Sequence, residues 1–342
     1  MSKSADRERP PRRGAAFPWS YAVLGAFIVL GLVGLAAWNN GTHAQRPAAA
    51  SKLTLTQIPF DGERAYGHLK AICAIGQRIS ATEGMQRQQK YLTDHFQKLG
   101  GKVTLQGFPA RDPVRGNVQL ANMIVEWHPE KKDRILLCAH YDTRPFPDQD
   151  PENPKGLFVG ANDGASGVAV LCELGQHMAG LKSKYGVDFV LFDGEELVYD
   201  ADRDPYFLGS EEFARQYKSK PPAHRYVSGV LLDMVGDKDL QIYREVGGMK
   251  RPQTRELTLN IFAVARELGV REFVNQNLHE VRDDHLALNE IAGIPAIDLI
   301  DFDYPTSRIN YWHTTKDTPE NCSALSLAKV GWVVKTWLEK AK

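Results

Sequence analysis

Residues 187–196 read VDFVLFDGEE, a nearly continuous apolar run that ends in two adjacent acids. A short apolar run without alternation is typical of a strand buried on both faces of a sheet. Similar runs alternate with helical patterns on both sides of this stretch. We predict further strands at 102–108, 119–127, 134–139, 227–235 and 296–300, and helices at 61–75, 83–99, 165 to about 178, from 211 onward, 253–268, 283–292 and 323–341.

This alternation predicts an α/β fold, a three-layer sandwich with a mixed, mostly parallel central sheet. In such sheets the functional site forms at the carboxyl ends of the strands. Polar residues follow several predicted strands at those ends: His140, Asp142, Glu195, Glu196, Asp233, Asp301 and Asp303. We therefore expect the site at this edge of the sheet.

The adjacent acids Glu195 and Glu196 leave a buried strand side by side, so their side chains point in different directions. One can bind a metal ion while the other faces the substrate as a base. A solvated pair of surface charges is the alternative. His140 is a candidate metal ligand for a similar reason. Asp142, two residues further on, can hold the second ring nitrogen of a histidine ligand. A structural histidine at a strand end explains His140 equally well.

Two further residues complete a candidate metal set. Asp163 lies in GANDGASG (residues 160–167), where an acid at a helix start stays ionised near backbone N–H groups. A plain helix cap is the alternative there. His313 follows the loop after the last strand. Together with Asp163 and Glu196 it makes a nitrogen and oxygen set that suits Zn²⁺ and leaves a fourth position open.

The overall charge gives no sign of a nucleic-acid partner. Lysine plus arginine number 42 and aspartate plus glutamate number 42, and the body has no basic stripe. The four cysteines form no CxxC pair, and Cys138 and Cys172 lie in apolar patterns typical of buried small side chains. A disulfide between Cys73 and Cys322 is compatible with a location outside the cytoplasm, but the spacing does not establish it.

The N-terminal part predicts a membrane anchor. Residues 1–14 are basic, and residues 15–38 are an uncharged run with an apolar centre of about 20 residues, long enough to span a bilayer. A cleaved signal peptide is the alternative. Because positive charge stays on the cytoplasmic side, we expect a single-pass protein with its body on the periplasmic or extracellular side. Residues 39–57 would be a tether and residues 58–342 the catalytic domain.

The motifs HYD, GANDGASG, FDGEE, LLDMVG, DDH and WHTTKDT follow one another between residues 140 and 318. In this order they resemble the zinc aminopeptidase family, which has a phosphorylase/hydrolase-like fold, and within it the glutaminyl-peptide cyclotransferase branch. The resemblance covers roughly residues 60–340. It implies that Asp163, Glu196 and His313 bind the catalytic zinc. It also implies that Glu195 is the general acid and base.

The same resemblance implies roles for residues around the zinc. In cyclases the residue matching Asp233 is hydrogen-bonded to the one matching Asp283, with a single zinc nearby. In two-zinc aminopeptidases, His140 and Asp233 would bind a second ion bridged by Asp163, and Asp142 would orient His140. Trp312 would wall an apolar pocket for a glutaminyl side chain.

The resemblance thus implies an enzyme that acts on peptide or protein N-termini. We expect it to convert N-terminal glutamine to pyroglutamate with release of ammonia; a zinc aminopeptidase is the alternative. Ala201 stands where cyclases of this branch have a tryptophan. That pocket wall would then come from Tyr199 or Tyr206.

Overall fold

The structure is a computed structural model that describes residues 50–341. This part of the chain contains ten strands. They are β1 (Lys102–Asp112), β2 (Gly116–Trp127), β3 (Asp133–His140), β4 (Gly186–Phe192), β5 (Arg225–Asp233), β6 (Ile242–Arg244), β7 (Phe273–Asn277), β8 (Ala296–Ile300), β9 (Pro305–Thr306) and β10 (Ile309–Asn310).

Six of these strands form the central sheet, in the order β1-β2-β4-β3-β5-β8. Neighbours among β4, β3, β5 and β8 run parallel, whereas β1 and β2 are antiparallel to each other and β2 is antiparallel to β4. The mixed, mostly parallel sheet is therefore confirmed. Ile135 and Leu137 of β3 face one core cluster while Leu136 and Cys138 face another, which explains the lack of polar alternation.

The helices are α1 (Gly62–Ala74), α2 (Glu83–Lys98), α3 (Ala165–Met178), α4 (Leu208–Ser219), α5 (Pro252–Glu267), the single turn α6 (His285–Ala287) and α7 (Ala324–Lys340). Side-chain caps fix several of their starts. Asp61 accepts the N–H of Arg64 at α1, Thr82 accepts that of Met85 at α2, and Ser323 caps α7.

Helices cover both faces of the sheet. Apolar side chains of α1, α2, α3, α5 and α7 join the larger core cluster on one face. On the other face Phe213 of α4 and Leu288, just after α6, join the second cluster. The predicted three-layer sandwich follows from this arrangement.

Three local features depart from the predicted elements. The predicted helix 283–292 is one α turn followed by a π-type turn, Leu288–Ala292, in which the Asn289 amide donates to the carbonyls of His285 and Ala296. Strand β1 continues past Pro109, which an edge strand tolerates. The short parallel pair β6 and β7 was not predicted because β7 is mostly polar.

The described body begins before the predicted domain boundary at residue 58. Ser51 donates its backbone N–H to Glu272 at 2.9 Å, and Leu53 and Leu55 contact the core.

No helix within residues 50–341 is long and apolar enough to cross a membrane. The basic segment 1–14 and the predicted anchor 15–38 lie outside the described residues. Cys73 and Cys322 are buried and free, so the disulfide considered from the sequence is not formed.

Candidate active site

The predicted site residues meet at the carboxyl edge of the sheet. His140 ends β3, Asp233 ends β5, and the acid pair Glu195 and Glu196 follows β4 after a turn at Gly194. Gly194 has a φ of +75°, a left-handed conformation that L side chains rarely adopt. The turn therefore needs glycine to lead the acid pair out of the sheet.

Asp163 lies between the two histidines of the site. Its Oδ1 is 3.0 Å from Nε2 of His140, and its Oδ2 is 3.4 Å from Nε2 of His313. The next residue, Gly164, has a φ of +89°, and a Cβ there would meet the Asp142 carbonyl at 2.7 Å. Only glycine therefore lets the chain turn into α3 with Asp163 so close to β3.

Each histidine has a second carboxylate beside it. Nε2 of His313 is 2.7 Å from Oε1 of Glu196, and Nε2 of His140 is 3.2 Å from Oδ1 of Asp233. The site thus has two halves that share Asp163, one with His313 and Glu196 and the other with His140 and Asp233. Ligand atoms of His140, Asp163 and Glu196 also lie within 4.8 Å of one another. The geometry can accommodate one ion or a bridged pair.

These groups fit a metal ion by burial and by donor chemistry. All five side chains of the two halves are buried: His140, Asp163, Glu196, Asp233 and His313. Oδ2 of Asp163 has no hydrogen-bond partner within residues 50–341. A buried carboxylate oxygen without a partner is costly unless a cation completes it. Imidazole and carboxylate donors with no thiolate among them suit Zn²⁺. The predicted set Asp163, Glu196 and His313 is therefore assembled, and so is the second set.

Burial raises the pKa of both members of the acid pair, Glu196 as well as Glu195. Burial raises the pKa of Glu195 well above its ordinary value, and the neighbouring Glu196 adds to the effect. Burial alone would lower the pKa of His313, but Glu196, Asp148 and Asp163 outweigh it and raise that pKa to about 9. The excess of carboxylates favours a bound cation at the centre.

Asp142 positions the acid pair as well as His140. Its carboxylate accepts the backbone N–H groups of Glu195 at 3.2 Å and Glu196 at 3.0 Å. The hydroxyl of Ser80 donates to the same carboxylate at 3.2 Å. Nδ1 of His140 lies 3.7 Å from Asp142, an ion-pair distance rather than a hydrogen bond. Asp142 thereby ties β3 to the loop after β4.

Asp233 and Asp283 influence each other through their charges, but no hydrogen bond joins them within residues 50–341. Burial raises the pKa of Asp283 well above its ordinary value, and the charge of Asp233 is the next cause. Within residues 50–341 no hydrogen bond joins the two, because Asp233 bonds to His140 and Asp283 accepts the N–H of Asp284 at 2.6 Å. The predicted Asp233–Asp283 hydrogen bond stays a prediction for the metal-bound site.

Three supporting residues were missed from the sequence. Asp148 lies 3.3 Å from Nδ1 of His313, and Arg144 donates to Asp148 at 2.7 Å and, through its backbone, to Glu196 at 3.0 Å. Asp317 accepts the N–H of Asp163 at 3.1 Å. Asp148 and Arg144 occupy an irregular loop with no periodic pattern. The WHTTKDT motif contains Asp317 but does not indicate its contact.

A cavity of about 400 Å³ opens over the acid pair and His313. Its apolar walls include Trp312, Phe302 and Phe207, and Ala201 lies at its edge. The Trp312 ring stacks on His313 with a centroid distance of 3.7 Å. Tyr206 also lines the cavity, whereas Tyr199 packs against Phe146. Of the two tyrosines considered for the missing wall, Tyr206 is the one that faces this space.

A mostly parallel α/β sheet with carboxylates and imidazoles converging at its carboxyl edge defines the class: an enzyme fold built around a candidate metal centre. The chain belongs to peptidase family M28, whose model matches residues 122–338. The resemblance inferred from the motifs is confirmed.

Three relatives illustrate the similarity. A glutaminyl cyclase structure from Fimbriiglobus ruber is 40% identical, covers 87% of this chain and 100% of its own, and has a TM-score of 0.78. A Zn-dependent exopeptidase from Parabacteroides distasonis is 29% identical, covers 82% and 98%, and has a TM-score of 0.75. The glutaminyl-peptide cyclotransferase of Bothrops jararaca is 24% identical over 89% of this chain and 88% of that protein.

Proposed function

We propose that the protein is a zinc-dependent glutaminyl-peptide cyclotransferase that converts N-terminal glutamine to pyroglutamate and releases ammonia. One observation carries the proposal: Glu195, a half-buried acid that is not in the predicted ligand set, lines the aromatic-walled cavity beside that set. The similarity to glutaminyl cyclases supports the same reaction. The substrate class would be peptide or protein N-termini.

Asp163, Glu196 and His313 would hold the zinc ion, and a zinc ion at this position supplies a Lewis acid for the γ-amide carbonyl of the substrate. The Asp148 carboxylate lies 3.3 Å from Nδ1 of His313, a charge contact on the ring edge opposite the Nε2 that faces Glu196. Asp317 fixes the backbone of Asp163 through a hydrogen bond. These contacts pre-organise the ligand set on the sheet edge.

Glu195 would move the proton. In the reaction the α-amine nitrogen forms a bond to the γ-carbonyl carbon, and the bond from that carbon to the amide nitrogen breaks. Glu195 takes a proton from the attacking amine and gives it to the leaving nitrogen, which departs as ammonia. Burial raises the pKa of Glu195 well above its ordinary value, which brings it closer to the range in which a carboxyl can both accept and donate.

The aromatic walls would orient the substrate. Trp312 stacks on His313 and faces the cavity, so a glutaminyl side chain lying against it is held next to the ligand set. Holding the amine and the amide together in one conformation favours ring closure. Asp233 and Asp283, both on the cavity wall, offer buried carboxyls to the α-amine.

A zinc aminopeptidase is the second candidate, and one observation favours it. Asp163 presents one oxygen toward His140 and the other toward His313, as a carboxylate bridging two ions would. The exopeptidase relative has the same fold. In that case Glu195 would activate a water molecule for hydrolysis.

A product assay separates the two candidates. The purified protein is incubated with a glutamine-led peptide and, separately, with leucine anilide. Stoichiometric ammonia with a pyroglutamyl product supports the cyclase. Release of the aniline from leucine anilide with no cyclisation of the glutamine peptide overturns it in favour of the aminopeptidase.

We also propose that residues 15–38 anchor the protein in a membrane, with the body on the periplasmic or extracellular side. The support is the apolar length of that run and the basic residues before it. Membrane fractions washed at alkaline pH should retain the full chain and release a variant that lacks residues 1–38. A full chain recovered in the wash would contradict the anchor.

A further inference from the structure

A second cluster of metal-type donors lies in the helical layer, away from the candidate active site. His68 of α1, His95 of α2 and Cys172 of α3 offer ligand atoms that all lie within 4.8 Å of one another. The two imidazoles are half-buried and the thiol is buried. Three helices that are distant in sequence thus bring two nitrogens and a sulfur to one point.

Each imidazole of this cluster has one ring nitrogen held by the protein. Nε2 of His95 lies 2.9 Å from the backbone carbonyl of Cys172, and Nδ1 of His68 lies 2.6 Å from the Tyr91 hydroxyl. Such contacts are what fix the ring and tautomer of histidines that bind metals through the other nitrogen. The His68 and His95 rings meet edge to face at a centroid distance of 4.4 Å.

The two imidazoles and the thiol suit a metal ion that displaces one proton, that of the Cys172 thiol. Burial lowers the pKa of His68 to about 4 and lowers that of His95 too, which favours the neutral imidazoles that a metal ion needs. Burial raises the pKa of Cys172, so its thiol keeps its proton until a metal ion displaces it. Glu173, next to the thiol in sequence, is paired with Arg64, whose guanidinium donates to both of its carboxylate oxygens.

We propose that His68, His95 and Cys172 form a second metal site that binds a borderline to soft ion of the Zn²⁺ or Co²⁺ class. Two imidazoles and a thiolate are three of the four ligands of a tetrahedral site, and a water molecule can supply the fourth. The helix α3 begins at Ala165, just after Asp163, and at about 1.5 Å per residue Cys172 lies roughly 10 Å along its axis from that start. The site is therefore separate from the active centre.

This site changes how a metal count is interpreted. Two ions per chain could be taken as evidence for a bridged pair around Asp163. An ion held by His68 and Cys172 would give the same count with a single ion in the active site. It would also cross-link α1, α2 and α3, in addition to contacts such as that of His95 with the Cys172 carbonyl.

Cobalt binding tests the proposal directly. The full-length protein is stripped of metal with a chelator and titrated with Co²⁺, and the near-ultraviolet spectrum is recorded. A thiolate bound to Co²⁺ gives a charge-transfer band, whereas the ligands predicted for the active site include no thiolate. We expect the band, and we expect Cys172→Ala and His68→Gln to lose it and to bind one ion fewer than the wild type.

Cys138→Ala is the matched control, because Cys138 is also buried but lies on β3 outside the cluster. It should keep the band. His68 is half-buried, so His68→Gln keeps the test valid if Cys172→Ala fails to fold. Absence of the band in folded wild-type protein that binds Co²⁺, or its persistence in His68→Gln, overturns the proposal. Cyclisation of the glutamine peptide is measured in parallel and should be unchanged in both variants.

Discussion

The carboxylate of Asp148 lies 3.3 Å from Nδ1 of His313, on the opposite edge of the ring from the Nε2 that faces Glu196 at 2.7 Å. Arg144 holds Asp148 in turn, with Nε at 2.7 Å from Oδ1. The imidazole is therefore aligned before any ion arrives. A ligand oriented in this way loses little freedom on binding.

Removing this alignment should weaken metal binding. We expect Asp148→Asn to raise the zinc dissociation constant by about 10- to 100-fold, because His313 loses the carboxylate that fixes its ring. Competition with a chromophoric chelator measures the constant. Asp202→Asn, an exposed change next to the cavity residue Ala201 but outside the ligand set, is the control and should leave it unchanged. Equal affinities in wild type and Asp148→Asn would contradict the role given to Asp148.

Glu195 should be needed for turnover but not for metal. Glu195→Gln keeps the shape of the side chain and removes its proton transfer, so we expect kcat to fall by roughly 10²- to 10⁴-fold. Metal analysis should give the same zinc content as the wild type. Glu211→Gln, on the exposed side of α4, should retain full activity. Loss of zinc from Glu195→Gln would make Glu195 a ligand instead.

Trp312 should act mainly through substrate binding. Trp312→Ala removes the ring that stacks on His313 and faces the cavity, and we expect KM to rise by about 10-fold or more for a glutamine-led peptide. Trp312→Phe should recover most of the loss because it restores an aromatic wall. A lower kcat at unchanged KM would show that the ring supports His313 rather than the substrate.

The ion pair of Glu272 with Lys329 gives a pH-dependent prediction for stability. Glu272 accepts from the Lys329 ammonium at 2.7 Å, and both are buried. We expect Glu272→Gln to lower the free energy of unfolding by about 3 kcal/mol at pH 7, since a buried charge loses its partner. Denaturant unfolding measures the change.

The sign of the pH effect follows from the pKa of Glu272. Burial alone would raise that pKa, but the contact with Lys329 outweighs it and holds the pKa below its ordinary value. The stabilisation is thus present above the unfolded-state pKa of about 4.3 and is lost as the pH falls through the folded-state value. The wild type and Glu272→Gln should converge in acid. Glu267→Gln, at an exposed pair with Lys340, should show little effect at any pH.

Chelation should abolish cyclisation, and added zinc should restore it. The apo protein should also unfold at a lower temperature, because an ion that binds only the folded state stabilises it by about 4 kcal/mol at a thousandfold excess over its dissociation constant. Calorimetry with and without zinc checks this. Full activity in protein shown to be free of metal would overturn the assignment of a zinc centre.

Most of the fold could be predicted because its signals are local. Buried strands such as VDFVLF contain the apolar run that burial on two faces requires, and helix starts at Asp61 and Thr82 have capping side chains. The pair β6 and β7 had no such signal, since a short ladder at the edge of the fold needs no apolar pattern. The π-type turn after α6 depends on Asn289 contacts that only the folded chain provides.

The candidate site was predictable where residues fall within motifs and was missed where only three-dimensional contacts bring them together. Asp163 and Glu196 could be found because a strand end and glycine turns mark them, and His313 because it lies in the WHTTKDT motif. Asp148 depends on the path of an irregular loop. The donor cluster of the helical layer could not be found at all, because His68, His95 and Cys172 share no spacing in the sequence.

The order of the ligands along the chain has a consequence for biosynthesis. Asp163 follows β3 and Glu196 follows β4, but His313 comes only after β8, just ahead of the terminal helix α7. A nascent chain therefore lacks a complete set of ligands until it has been synthesised past β8 and His313. Zinc would be acquired only after that point, from whatever compartment the chain has reached by then. The supply of the ion in that compartment would decide how much of the protein becomes active.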